Sequence, residues 1–181
     1  MMTPLSTGGR RVTRFVIQPH RSLLTVRARS TLHPITRSGP VTGHVEATVS
    51  QGALDLAEPA SGLVQLEMQA LKGDAYLDRE MDLRLDTQRY PRAVARLTEI
   101  HPVDDGYRMR GEVVMRGRTC TVEGLAGVSV DSGRELRLHG SLRLDIRDFG
   151  IQPPRLLLLR VHPEVDVVLD FVALADGVAP G

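Results

Sequence analysis

The chain of 181 residues is short of several things: one cysteine (Cys120), one lysine (Lys72), no tryptophan, and 3% aromatic residues. A single cysteine excludes an intrachain disulfide and any cysteine-rich zinc cluster. So few rings cannot build the base-stacking platform of a single-strand nucleic-acid binder. Neither sign of charge is in excess, with 23 basic and 22 acidic side chains and a formal net charge of +1. A nucleic-acid surface ordinarily shows a strong basic surplus, so no nucleic-acid partner is expected. Long apolar runs are also missing. Leu156–Leu159 falls far below the ~18 residues of a spanning helix, so the chain is not expected to cross a membrane. The pair Arg10-Arg11 is followed only by Val12–Ile17, which contains Arg14 and is too short for the apolar region of a secretion signal. A cytoplasmic protein is the expectation.

What is present is a 41% hydrophobic chain long enough for one domain. At this length roughly 70% of the unfolded surface can be buried, without help from metals or cross-links. Period-two alternation dominates. Val41, Gly43, Val45, Ala47 and Val49 alternate with polar neighbours, as do Tyr107, Met109, Gly111, Val113 and Met115. The cleanest case is Leu136, Leu138, Gly140, Leu142, Leu144 and Ile146. Each reads as a strand with one buried face. Weaker strands are predicted at Thr13–Gln18, Ser22–Arg29, Leu63–Gln69, Ala93–Ile100, Thr119–Val130 and Val165–Leu174. Turn chemistry separates several of them, as at Asp104-Asp105-Gly106 and Asp131-Ser132-Gly133.

One segment breaks the pattern. Leu77, Met81 and Leu85 lie four apart, which predicts one short helix ended by Tyr90-Pro91. Its charged residues Asp78, Arg79, Glu80 and Asp82 are expected to form a solvated face. About nine strands with one apolar face each must bury those faces together, which calls for a closed barrel or two packed sheets. Residues 1–11 are expected to be a flexible segment, 12–175 the barrel, and 176–181 a tail.

Gly43, Gly111 and Gly140 each take a turn on the apolar face of an alternating strand. Either the strands bend sharply there, or the missing side chains leave room inside for a ligand. Around these glycines the chain resembles the YceI-like family of lipocalin-like barrels. Phe15-Val16-Ile17-Gln18-Pro19-His20-Arg21-Ser22 is similar to the family's opening, with Gln18 for the usual aspartate and Arg21 splitting histidine from serine. Asp78 through Pro91 resembles its charged helix followed by Tyr-Pro. Gly111–Thr119 and Asp148-Phe149-Gly150-Ile151 resemble its later motifs. The resemblance runs from about Phe15 to Ala173. It implies an antiparallel barrel of about eight strands, an elongated apolar lumen, a helix near one mouth, a polyisoprenoid or other long amphiphile as ligand, and a homodimer.

Catalytic readings find little support. Ser22, His20 and Asp148 are a triad in composition only, and no Gly-x-Ser-x-Gly elbow is present. The six histidines show no ligand spacing, so neither metal nor cofactor is expected. Asp148-Phe149-Gly150 lacks the companions of a kinase magnesium motif; Phe149 is expected to plug one barrel end, with Gly150 permitting the turn.

The expected function is therefore non-catalytic binding, storage or transport of an isoprenoid- or fatty-acid-like molecule. The expected lumen consists of Gly43, Val45, Met68, Met109, Gly111, Val113, Leu138, Gly140, Leu142, Leu144, Val167, Leu169 and Phe171. Arg37, Arg79, Arg147 and Arg155 are candidates for a head group, because an arginine fork suits phosphate. The alternative is a solidly packed lumen with a surface that mediates assembly. The apolar stretch Leu156–Val161 is either barrel wall or a twofold interface.

Overall fold

The computed structural model describes residues 10–55 and 60–177. Its strands are β1 (Arg11–Ile17), β2 (Leu23–Ser30), β3 (Ile35–Gly39), β4 (Thr42–Ser50), β5 (Ala53–Leu54) and β6 (Ser61–Glu67). After the helix α1 (Ala75–Leu85) come β7 (Arg92–Val103), β8 (Gly106–Met115), β9 (Arg118–Asp131), β10 (Glu135–Asp145), β11 (Arg155–Leu156) and β12 (Leu159–Ala175). β1 thus begins at Arg11, inside the segment expected to be flexible. Residues 1–9 of that segment and 178–181 of the expected tail lie outside the described residues.

Every strand pairing is antiparallel, and eight strands close a ring in the order β1-β4-β6-β7-β8-β9-β10-β12, with β12 returning to β1 through Phe15↔Ala175 and Ile17↔Ala173. The all-β barrel of eight strands with one inserted helix is the fold the resemblance implied, and the closed one of the two arrangements that alternation left open. Closure removes the sheet edges and gives every apolar face a common interior. The turns obey local rules. Arg116 and Gly117, both at positive φ, form the two-residue connection between Met115 and Arg118, as the twist of a hairpin demands.

The long β12 carries two neighbours in succession. Its C-terminal end pairs with β1 and its middle with β2, the two separated by the 3-10 turn Pro19–Arg21. β2 pairs in turn with β3, whose other edge makes an isolated bridge between Ser38 and Lys72. Strand β3, too rich in polar residues to alternate (Ile-Thr-Arg-Ser-Gly), is not predicted by the sequence.

Helix α1 packs at that end of the barrel. Asp74 caps it, accepting from the backbone N–H of Tyr76 (3.0 Å) and Leu77 (3.5 Å), and Asp86 ends it in the left-handed conformation. A 3-10 turn, Ile146–Phe149, follows β10 and stops at Gly150 (φ +71°). Phe149 is buried in the same hydrophobic core as Phe15, Leu136, Ile151 and Phe171. No described helix is long and apolar enough to cross a membrane.

Candidate functional site

The barrel is hollow. A cavity of about 330 Å³ runs inside it, its wall almost wholly apolar. That volume lies at the low end of the roughly 300–1,000 Å³ range of ligand pockets. The exposure of the wall residues tells the same story. Met109, Val113, Leu138, Leu142, Leu144, Val167 and Leu169 all line the cavity, yet each is only half-buried. In a solid core, side chains on the inner face of a closed sheet would be sealed. Here the residual exposure is to the lumen.

Of the expected lumen residues, Val45, Met68, Gly111, Gly140 and Phe171 also lie on the wall. Gly43 does not. Its φ is +132°, and a Cβ there would fall 1.9 Å from the carbonyl oxygen of Leu63, so its role is backbone geometry. Gly111 combines both roles, since a Cβ would sit 2.5 Å from the Arg96 carbonyl oxygen. Gly140 meets side chains rather than backbone first: a Cβ there would lie 3.3 Å from Leu138 Cδ2 and 3.4 Å from Ala126 Cβ, both of which would have to give by a few tenths of an ångström. The wall also includes many residues not expected there, among them Gly62 of β6, Leu24 and Val26 of β2, and Leu77, Met81 and Leu85 of α1. The four-residue spacing of those last three was the signal: the apolar stripe of the helix is the lid of the lumen.

The four candidate head-group arginines separate. Arg37 is buried, so it is not presented to a head group outside the barrel. Its Nε donates to Asp78 Oδ1 at 2.9 Å, one Nη donates to the Leu71 carbonyl at 2.8 Å, and Asp82 Oδ1 lies 3.5 Å away. Asp78 also accepts from the Gly73 N–H at 3.0 Å. The expected solvated face of α1 is therefore wrong for Asp78 and Asp82. One turn apart, they face β3 because a buried guanidinium needs compensating charge. Arg79 is exposed on α1. Arg147 and Arg155 come together, with Arg84 and Arg160, in a surface cleft that shares Val161 with the cavity wall.

Elsewhere the exterior carries many ion pairs, some across strands (Arg92–Glu67, Arg108–Glu123, Arg143–Asp166) and some local. Arg21 and Arg137 both donate to Glu135, and the Arg21 bond does most to hold that carboxyl below its usual range, with burial opposing. Arg147 does the same for Asp145, and Asp166 raises the guanidinium pKa of Arg143. Ser22 is engaged with the Val41 carbonyl at 3.0 Å. Among the described residues no group of three or more His, Cys, Asp or Glu could hold a metal ion.

The apolar stretch Leu156–Val161 divides. β11 and β12 form a hairpin there, pairing Leu156 with Leu159 across the tip. Leu159 is buried (8% exposed), whereas Leu157 and Leu158 stand fully out (104% and 80%). The stretch thus holds one buried leucine and two exposed ones.

The model of the YceI-like domain matches residues 15–173. The chain belongs to the YceI-like family. Solved structures agree on the fold. BcnA of Burkholderia cenocepacia superposes with a TM-score of 0.71 at 18% identity, covering 87% of this chain and 99% of that one. A polyisoprenoid-binding domain from Saccharophagus degradans gives a TM-score of 0.63 at 12% identity, covering 91% and 99%. The YceI protein of Campylobacter jejuni gives 0.51 at 12%, covering 76% and 82%. No curated protein matches. The hollow apolar barrel of this YceI-like chain is a hydrophobic ligand-binding architecture.

Proposed function

We propose that the protein binds one long apolar molecule in the barrel and stores or carries it without chemical change, in the cytoplasm. One observation carries this reading: a ring of inward apolar side chains that is incompletely buried because the barrel encloses a cavity of about 330 Å³. Filling such a space removes apolar surface of both ligand and wall from water, worth about 0.8 kcal/mol per methylene. The described wall offers little to a polar group, since Arg37, its one buried charge, is already matched by Asp78 and Asp82. The tail therefore belongs inside and a head group outside, where the cleft of Arg147 and Arg155 adjoins the wall at Val161. An isoprenoid or fatty-acid-like chain meets these demands. The polyisoprenoid-binding neighbour supports the choice of class.

Native mass spectrometry of gently purified protein tests the proposal. It is expected to report a lipid adduct that extraction into organic solvent removes. Protein that stays free of adduct after incubation with long-chain fatty acids and polyprenols would favour the assembly reading instead.

A further inference from the structure

The tip of the β11–β12 hairpin violates two rules at once. Leu157 has φ +52°, a conformation that favours glycine or asparagine, and its side chain is fully in water. Leu158 beside it is 80% exposed. The turn between β2 and β3 adds a third leucine, Leu32, 63% exposed. The two loops are tied together: the Thr31 hydroxyl donates to the Leu158 carbonyl at 2.7 Å, and the Arg160 N–H donates to the Thr31 hydroxyl at 3.0 Å. The three leucines thus form one fixed apolar prow.

Below the prow sits positive charge. Arg155 and Arg160 are direct cross-strand partners, both exposed, and neither has an acidic partner among the described residues. Like charges placed opposite each other destabilise a ladder, so this pair invites an external anion. Arg84 and Arg147 stand in the same cleft, already paired with Glu80 and Asp145. Two other acids reach this end: Asp148 and Glu164 both act on Arg147, and Glu164 lies 3.7 Å from Arg29.

We infer that this hairpin tip docks on an anionic lipid bilayer. Apolar side chains at a loop tip with cations a few ångströms behind them match the layered chemistry of a membrane surface, acyl chains below and anionic phosphates above. A second copy of the chain fits worse. Three leucines fall far short of the ~800 Å² per partner of a standard interface, and a twofold axis at the tip would set unpaired arginines against arginines. The placement also suits transfer, because the arginine cleft shares Val161 with the cavity.

Vesicle co-sedimentation of the full chain, with phosphatidylcholine alone or mixed with phosphatidylglycerol, decides the matter and does not depend on what fills the cavity. The wild type is expected to pellet with the anionic vesicles only, less so as salt rises. Leu157→Ser with Leu158→Ser, and separately Arg155→Gln with Arg160→Gln, should each weaken the partition roughly tenfold or more at an unchanged unfolding temperature. The inference is overturned if the wild type does not pellet, or if the folded variants pellet equally. It is also overturned if sedimentation equilibrium shows a wild-type dimer that the leucine variant converts to a monomer.

Discussion

Replacing Gly62 with leucine separates a lumen made for a ligand from a core that is merely loose. Gly62 lines the cavity, and its backbone is in ordinary strand conformation. A Cβ there would meet Leu97 Cβ at 3.6 Å and the His44 carbonyl oxygen and Val45 Cγ2 at 3.7 Å, all ordinary contacts. The new side chain therefore enters empty space. It displaces about four methylene groups of any tail, and at ~0.8 kcal/mol each the loss is about 3 kcal/mol, or roughly two orders of magnitude in Kd. Stability should move the other way. A strand glycine costs roughly 0.5–1 kcal/mol relative to alanine, and the added methyls bury against Val45 and Leu97. Displacement of a fluorescent fatty acid, measured beside thermal unfolding, is expected to show weaker binding and an equal or higher Tm. A lower Tm with unchanged affinity would refute the reasoning, since overpacking of a filled core costs about 1–3 kcal/mol.

Three other outcomes follow from the same geometry. Asp78→Ala should cost about 3–5 kcal/mol in denaturant unfolding, because it strands Arg37 beneath α1 with only Asp82 nearby. Leu159→Glu should destabilise by about 2–5 kcal/mol while Leu157→Glu stays within about 0.5 kcal/mol of wild type, a contrast that urea titration reads directly. Glu135 and Asp145 have folded pKa values below their unfolded ones, so their contribution is complete above the ordinary carboxylate range and is lost as pH falls through the lowered folded values. Glu135→Gln should flatten that part of the Tm–pH profile, and an unchanged profile would remove Glu135 from the account.

Much of the barrel was legible because its strands are two-sided. Where polar residues alternate strictly with Leu136, Leu138, Leu142 and Leu144, the inner face can be read directly, and the family span read from Phe15 to Ala173 is the span that matches. The hollow was legible only through the resemblance, since the same inward leucines suit a packed core. Gly43 shows the limit: an alternating position looks like a lumen position until the approach of the Leu63 carbonyl is known. Asp78 and Asp82 show another. A run of charges on a short helix reads as solvated, and only the docking of β3 beneath it supplies a buried arginine to neutralise. The leucines from 156 to 159 carry no alternation because they turn a corner, sending two out and one in.

The central claim, that the lumen holds an apolar tail, is tested most directly by affinity against chain length. Isothermal titration with saturated fatty acids of increasing length is predicted to gain about 0.8 kcal/mol per methylene until the cavity is full, then level off, with a negative heat-capacity change throughout. Affinity independent of chain length would contradict the account, placing any binding on the surface rather than inside the barrel.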